Sequence, residues 1–227
     1  MGREATMPNY MLRFLRMFFG IAVYGSGVYM TIQANLGLSP WDALNMGVSN
    51  VTGFSFGDAG VAVGLVILVA DVLLGEKIGF GTLVNTVMIG KMVDLFNYIE
   101  LLPKMNGFLP GLALLLSGQV LICFGMFFYV GAALGSGPRD SLMVALNRKL
   151  RRVPVGVARG IVEGTALFLG WMLGAKVGIG TLIAVFGIGF IMQAVFSLVH
   201  FDPKAVLHEN VMVTVNKWRS GQGVQEL

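Results

Sequence analysis

The chain has 227 residues, of which 56% are hydrophobic and only 12% are charged. Because an average soluble domain carries about 25% charged residues, this composition excludes an ordinary soluble protein and indicates a membrane protein. The net charge of +4 does not indicate nucleic-acid binding, since the basic residues lie in short segments between apolar runs and not on one amphipathic face.

Apolar runs of membrane-spanning length recur from one end of the chain to the other. A span needs roughly 20 apolar residues, and six runs qualify: 11–33, 57–74, 81–99, 108–134, 155–173 and 178–199. The polar tail, 202–227, is predicted to be cytoplasmic. We therefore predict an all-α polytopic membrane protein in which 1–227 forms a single membrane domain, with the lipid bilayer as its partner.

The basic residues predict the orientation of the spans, because cytoplasmic loops of membrane proteins retain Lys and Arg. With six spans and a cytoplasmic N-terminus, thirteen of the 16 basic residues fall on the inner side. An odd number of spans would place either the C-terminal basic residues or the basic cluster 148–152 on the outer side of the membrane. Both termini are therefore predicted to face the cytoplasm. Arg13 and Arg16 are interpreted as part of this orientation signal.

Two spaced patterns each occur twice. Leu36, Gly37, Pro40, Asp42 and Leu44 recur 98 positions later as Leu134, Gly135, Pro138, Asp140 and Leu142. Gly79, Gly81, Thr82 and Leu83 recur 99 positions later as Gly178, Gly180, Thr181 and Leu182. The chain is therefore predicted to contain two repeats, about 11–99 and 108–199. Since each repeat holds three spans, the second must enter the membrane from the opposite side, and such inverted three-helix repeats are typical of secondary transporters.

The first pattern predicts that one helix stops and another starts at once in each repeat. Gly37 can end the first helix, Ser39 can act as N-cap and Pro40 suits the first helical position. The new helices, 40–51 and 138–150, are too short to span and are predicted to be broken or re-entrant. Their N-termini can hold an anionic group of a substrate. Alternatively, Asp42 and Asp140 only cap their own helices.

The residue between the proline and the aspartate differs between the repeats: Trp41 in the first and Arg139 in the second. The predicted orientation places Trp41 at the outer boundary of the membrane and Arg139 at the inner one. Both residue types are common anchors at such boundaries. Anchoring and substrate binding are therefore both open interpretations for this pair.

Charged residues inside the bilayer are rare and are functional candidates by default. Lys91 and Asp94 lie one turn apart in the third span, and Arg159 and Glu163 lie one turn apart in the fifth. In each pair the two opposite charges can neutralise one another. Alternatively, the pairs line a solute pathway in which Glu163 carries a proton. Because neither couple is repeated in the other half, the site interpretation is favoured.

Small residues predict close helix contacts in the second and fifth spans. Gly60 and Gly64 have the four-residue spacing that lets helices approach closely in lipid, and so do Gly156, Gly160 and Gly164. These two spans are therefore predicted to cross at the centre of the bundle. The two Gly-x-Gly-Thr turns are interpreted as structural, because glycine permits the turn and threonine can cap the helix that follows.

The sequence carries no pattern for catalysis, a metal ion or a cofactor. Its one cysteine, Cys123, lies in an apolar run, and HExxH, paired catalytic carboxylates and a serine elbow are absent. Asp58 and Asp71 lie near span ends, where solvent can reach them, and are given no functional role. The protein is therefore predicted not to be an enzyme and to use no metal ion or cofactor.

The segments LGLSPWDAL and LGSGPRDSL, together with the two glycine-threonine turns, resemble those of the YczE/YyaS/YitT family of bacterial integral membrane proteins. The resemblance covers about residues 20–196. It implies a bacterial inner-membrane protein of a family that is presumed to transport solutes. It assigns no catalytic or ligand-binding residue.

Two functional hypotheses follow. The first is a secondary transporter or exporter of a small polar or anionic solute, with Lys91 and Glu163 along its pathway. The second is a non-transporting membrane scaffold or regulatory partner protein that binds another protein through its small-residue faces and basic loop. A homo-oligomer is compatible with either hypothesis. The candidate substrate-binding residues are Lys91, Asp94, Glu163, Arg159, Asp42, Asp140, Arg139 and Trp41.

Overall fold

The computed structural model describes residues 10–76, 78–135, 137–149 and 155–206. These residues form eight α-helices, followed by a 3-10 turn at Pro203–Ala205, and they contain no strand. The helices are α1 Tyr10–Gln33, α2 Pro40–Thr52, α3 Phe56–Leu73, α4 Phe80–Tyr98, α5 Phe108–Gly131, α6 Pro138–Lys149, α7 Val155–Met172 and α8 Ile179–Leu198. The all-α prediction is confirmed. The predicted cytoplasmic tail lies outside the described residues from 207 onward.

Four of the described helices are long and apolar enough to cross a membrane: α1, α3, α5 and α8. The helices α4 and α7 have 19 and 18 residues and carry charged residues within their length. Large apolar side chains cover the outer surface of the bundle, including Leu73 at 79% and Phe190 at 76% exposure. A surface of this kind is expected to face lipid.

Helices α1 and α5 cross closely at glycines. A Cβ atom at Gly20 would lie 2.5 Å from the backbone nitrogen of Tyr129 and 2.9 Å from the carbonyl oxygen of Gly125, and one at Gly27 would lie 2.6 Å from the carbonyl oxygen of Gly118. Since Gly20 meets Gly125 while Gly27 meets Gly118, the two helices run antiparallel. Gly118 and Gly125 lie 98 positions after Gly20 and Gly27, which is the repeat offset. The contact between Gly20 and Gly125 is therefore the symmetry counterpart of the contact between Gly27 and Gly118.

The recurring sequence patterns of the two halves contact each other. The carbonyl oxygen of Leu36 accepts a hydrogen bond from the amide of Gly180 at 2.9 Å, and that of Leu134 accepts one from Gly81 at 2.8 Å. Gly37, with φ of 123°, has no room for a Cβ atom, which would lie 2.7 Å from the Thr181 hydroxyl oxygen. Each leucine-glycine segment is therefore held by the Gly-x-Gly-Thr turn of the other half.

Breaks in the backbone also recur at the repeat spacing. Asn35 and Ala133, which end the first helix of each half, have φ of 56° and 58°, a conformation unusual for residues other than glycine. Gly75 and Gly174, which follow α3 and α7, have φ of 83° and 85°. The two halves therefore share local backbone geometry as well as sequence.

Arg13, which the sequence interpretation treated as part of an orientation signal, lies inside the bundle at 3% exposure. Its Nε donates to the carbonyl oxygen of Ala132 at 2.9 Å and its Nη2 to that of Ala133 at 3.0 Å. These carbonyls follow the last turn of α5, where a helix leaves its final oxygens without internal partners and carries partial negative charge. Arg13 therefore caps α5 from α1.

Candidate functional site

The N-terminal turns of the two short helices, α2 and α6, meet inside the bundle. The guanidinium carbon of Arg139 lies 5.1 Å from the centre of the Trp41 ring. A cation at this distance over an indole face is attracted to it. The prediction that Trp41 and Arg139 lie at opposite membrane boundaries is therefore wrong, because each helix begins deep in the bundle and not at its own boundary.

Asp42 is buried in the first turn of α2, at 6% exposure. Its carboxylate accepts a hydrogen bond from the hydroxyl of Ser39 at 2.5 Å, and it is attracted to the guanidinium of Arg139. Ser39 makes no side-chain bond to the helix amides. At the start of α3, by contrast, the hydroxyl of Ser55 accepts from the amide of Asp58 at 3.0 Å. Ser39 therefore does not form the cap that the sequence predicted, and its hydroxyl binds the carboxylate instead.

Asp140 occupies the corresponding turn of α6 and is accessible to solvent. The hydroxyl of Tyr129 donates to its carboxylate, and Tyr129 in turn is hydrogen bonded to Asn85. Glycine at position 137 leaves room for this cluster: a Cβ atom there would lie 3.2 Å from Asp140 Oδ2 and 3.4 Å from Asn85 Nδ2. Asp140 is therefore accessible, whereas its counterpart Asp42 is buried.

Tyr24 of α1 connects the two aspartates. Its hydroxyl is close enough to interact electrostatically with Asp42, Asp140 and Arg139. Its ring packs edge-on against that of Tyr129, with centroids 5.9 Å apart. The sequence interpretation named neither tyrosine, nor Asn85. Together with Trp41, these residues form what we call the central polar cluster: Tyr24, Trp41, Asp42, Asn85, Tyr129, Arg139 and Asp140.

Arg159 and Glu163 lie beside the central polar cluster on α7. The guanidinium of Arg159 donates to Glu163 Oε1 at 2.7 Å, as the spacing of four predicted. Both side chains interact electrostatically with Asp140. The structure therefore brings six of the eight candidate residues together: Trp41, Asp42, Arg139, Asp140, Arg159 and Glu163.

Lys91 and Asp94 lie elsewhere, at the N-terminus of α3. The ammonium of Lys91 bonds Asp58 at 2.5 Å and lies 3.9 Å from Asp94. Asp94 accepts from the amide of Gly57 at 2.8 Å and from the Ser55 hydroxyl at 2.6 Å. These bonds cap α3 from α4. Lys91 therefore pairs first with Asp58, which the sequence interpretation had set aside, and no described contact joins it to Glu163.

Two corresponding pairs of glycines, one in each half, differ in their packing. In the first half, Gly57 of α3 packs against Gly90 of α4, where a Cβ atom on Gly90 would lie 2.7 Å from the Gly57 carbonyl oxygen. In the second half, the corresponding Gly156 of α7 and Gly189 of α8 have no described atom within 4 Å of such a Cβ. We call these the α3–α4 seam and the α7–α8 seam. The first is closed and the second is open.

The prediction that the second and fifth spans cross at the centre of the bundle is wrong, because α1 and α5 cross there. Glycines pack closely in the second span only. A Cβ atom on Gly64 would lie 2.5 Å from Thr86, and one on Gly60 would lie 3.2 Å from Asn45. Around Gly160 and Gly164 the described residues leave open space. The glycine face of α7 is therefore unoccupied where that of α3 is packed.

A surface pocket of about 270 Å³ lies away from the central polar cluster, at the ends of α1 and α4. Tyr29, Gln33 and Glu100 line it, and the Tyr29 hydroxyl is already bonded to the backbone of Leu102. None of the eight candidate residues lines this pocket. Within the described residues no group of three His, Cys, Asp or Glu side chains is arranged to hold a metal ion.

Comparison with known proteins gives the family. Residues 11–197 match the family described as "Family of unknown function (DUF6198)". The chain belongs to this family. It is 34% identical over 189 residues to "Uncharacterized membrane protein YczE" of Bacillus subtilis, covering 82% of this chain and 86% of that protein. No solved structure matches the chain.

Two further relatives support the assignment. "Uncharacterized protein YyaS" of Bacillus subtilis is 29% identical over 198 residues, which are 85% of this chain and 98% of that protein. An "Uncharacterized protein" of Haemophilus influenzae is 27% identical over 183 residues, 81% and 83% of the two chains. The predicted relationship to YczE and YyaS is confirmed. In this DUF6198 chain, the matched region contains the whole central polar cluster.

Proposed function

We propose that this protein is a secondary transporter or exporter of a small polar or anionic solute in the bacterial inner membrane. In this proposal, six helices span the bilayer in two inverted units, α2 and α6 are re-entrant half-helices, and both termini face the cytoplasm. The observation that carries it is the meeting of two helix N-termini and three charged side chains, Asp42, Arg139 and Asp140, inside an apolar bundle. Charged side chains that face the interior of a membrane-protein bundle mark substrate sites by default.

The charges of the central polar cluster favour a solute that carries a carboxylate or a similar anionic group. Arg139 can donate two parallel hydrogen bonds to such a group, and the N-termini of α2 and α6 each add about half a positive charge. Asp42 and Asp140 can then accept from hydroxyl or amine groups of the same solute. A small polar molecule with both kinds of group fits this arrangement best.

The unequal seams support alternating access. In transporters built from inverted units, the two halves exchange conformations as the site opens to one side and then to the other. Here the α3–α4 seam is closed and Asp42 is buried, while the α7–α8 seam is open and Asp140 is accessible. In our proposal, the α7–α8 seam closes and the α3–α4 seam opens when the site becomes accessible from the other side of the membrane.

A ligand screen tests this function without knowledge of the solute. The full-length protein in detergent is heated with acetate, lactate, succinate, phosphate, sulfate and neutral amino acids in turn. A ligand that binds the folded protein raises its melting temperature. We expect at least one of these probes to stabilise the native protein but not Arg139→Gln, and the same compound to move into proteoliposomes. If no probe is bound selectively or moved, the proposal fails.

The open glycine face of α7 favours one rival function, a scaffold or regulatory partner protein. Gly156, Gly160 and Gly164 offer a surface on which a helix of another protein can pack closely in lipid. This function predicts a second membrane protein that co-purifies in a fixed ratio. It also predicts that Gly160→Leu abolishes that association while ligand-induced stabilisation is absent in both forms.

A further inference from the structure

Asp71 is a buried carboxyl group for which the described residues provide no hydrogen-bond partner. It lies near the end of α3 at 1% exposure, and neither Oδ1 nor Oδ2 receives a hydrogen bond. A buried ionised carboxylate without a partner is strongly disfavoured, because it loses its hydration without compensation. The geometry therefore favours the protonated acid.

The end of α3 makes a charge at this position still less favourable. The amide of Glu76 bonds the carbonyl oxygen of Asp71 at 2.9 Å, and Gly75 bonds that of Val72 at 2.9 Å with φ of 83°. This is a Schellman motif, in which the residues at the positions of Asp71 and Glu76 are usually an apolar pair in contact. The helix C-terminus also carries partial negative charge. Asp71 therefore faces both the helix dipole and a nearby acid.

The second half shows what the same motif looks like without these acids. The amide of Ala175 bonds the carbonyl oxygen of Gly170 at 2.9 Å, and Gly174 follows with φ of 85°. Gly170 packs so closely on Ala43 of α2 that their backbones touch. Acidic side chains are therefore not required by this turn, and those of the first half need another explanation.

The helices that pack against α3 carry these charged residues: Asp42 in α2, Lys91 and Asp94 in α4, and Arg139, Asp140, Arg148 and Lys149 in α6. Lys91 and Asp94 lie at the opposite end of α3, with Asp58. Lys149 is exposed. The charged group that interacts electrostatically with Asp71 among the described residues is Glu76, and it repels a negative charge there.

We propose that Asp71 is a proton-binding site that controls how the C-terminal end of α3 packs against its neighbouring helices. The acid is neutral while this end of α3 is packed, and its proton passes to water when the packing opens and the carboxylate becomes hydrated. Opening the α3–α4 seam requires α3 to move. The proton on Asp71 therefore controls the conformational change that opens this seam. This consequence for transport rests on the proposed function, but the proton site itself does not.

The melting temperature as a function of pH tests the proton site without any transport assay. The folded protein binds the Asp71 proton more tightly than the unfolded chain does, so stability is full at low pH and is lost as pH rises. We expect the native protein in detergent to melt at least roughly 2 °C lower at pH 8 than at pH 5. Asp71→Asn should remove this slope, and Asp58→Asn, at the exposed end of α3, should keep it.

Infrared spectra over the same pH range provide a second readout. The native protein should show a carboxylic-acid carbonyl band at pH 5 that is lost toward pH 8, and Asp71→Asn should lack this change. The proposal is overturned if Asp71→Asn keeps the native slope and band. It is also overturned if Asp71→Asn lowers the melting temperature by the same amount at every pH, since that result identifies a purely structural role.

Measurements of solute flux distinguish the Asp71 proton site from the proposed transport function. Once the ligand screen has identified a transported compound, its uptake into proteoliposomes should change severalfold between pH 5 and pH 8 for the native protein but stay constant for Asp71→Asn. If the melting slope depends on Asp71 but no compound moves, the proton site stands and the transport function fails. Dependence of the melting temperature on Na⁺ in place of pH would contradict the proton site.

Discussion

The guanidinium of Arg139 lies over the ring of Trp41, its counterpart in the other half of the chain, at 5.1 Å. Corresponding residues of two repeats touch only where the halves approach the axis that relates them. The antiparallel crossing of α1 and α5 at Gly20 and Gly27 lies at the same centre. A cation and an aromatic ring therefore occupy a position where strict symmetry would place two identical residues.

Replacing Arg139 tests its role in binding. Arg139→Gln removes the charge that attracts an anionic group, and hydrogen bonds to charged groups are worth roughly 1.5–3 kcal/mol. We expect ligand affinity to fall about 10- to 100-fold while the melting temperature without ligand stays within a few degrees of native. Isothermal titration with the compound found in the ligand screen measures the first quantity. Trp41→Phe, which keeps an aromatic face, should retain most of the affinity.

The orientation of the half-helices can be tested by labelling. Asn50, near the end of α2, and Lys149, at the end of α6, are both exposed. We expect a cysteine at position 50 to react with an impermeant maleimide from outside the cell, and one at position 149 only after the membrane is opened. Cys123 is fully buried, so the native protein is the unreactive control. Labelling of both positions from one side would contradict the inverted arrangement.

Much of the helical framework could be predicted from the sequence, because apolar length and glycine-proline breaks are local signals. The short helix at Pro40–Thr52, for example, begins at the predicted proline and ends one residue beyond the predicted bound. What the sequence did not show was contact across the halves. The positive-inside rule treats Arg139 as a loop residue, yet tertiary packing places it against Trp41.

The central polar cluster was found only in part, for a similar reason. Asp42 and Asp140 could be predicted because they repeat. Tyr129 and Asn85 could not, because their counterparts are Thr31 and Ala184 and nothing marks them within an apolar run. Asp71 was set aside because it is near a span end, yet it is 1% exposed, because position along a helix does not by itself determine burial.

Matched glycine substitutions test whether the two seams exchange states. Gly57→Ala places a methyl group against Asp94 and the Gly90 backbone, and overpacking of this kind costs about 1–3 kcal/mol. We expect it to lower the melting temperature. Gly156→Ala enters open space and should leave the melting temperature unchanged. If the α7–α8 seam closes during transport, Gly156→Ala should nevertheless reduce flux, and equal flux in this variant and the native protein would contradict alternating closure.

Two charged residues that were candidates together should now behave differently. Glu163 pairs with Arg159 beside Asp140, whereas Lys91 pairs with exposed Asp58 at the start of α3. We expect Glu163→Gln to abolish flux without loss of folded protein, and Lys91→Gln to retain most of the flux, since exposed ion pairs contribute little to stability. Flux per folded molecule in proteoliposomes measures both. Normal flux in Glu163→Gln would remove it from the pathway.

Arg13 should be needed for folding and not for solute binding. Two of its bonds satisfy the carbonyls of Ala132 and Ala133 after α5, and the first of these carbonyls belongs to a buried residue. Arg13→Gln loses the charge at the helix end, and bonds to charged groups are worth roughly 1.5–3 kcal/mol each. A chain of this size shifts its melting temperature by about 2–4 °C per kcal/mol, so we expect a drop of at least several degrees. Ligand affinity measured on the fraction that remains folded should be native. A variant that melts like the native protein would show that water reaches these carbonyls, and the capping role would then have to be abandoned.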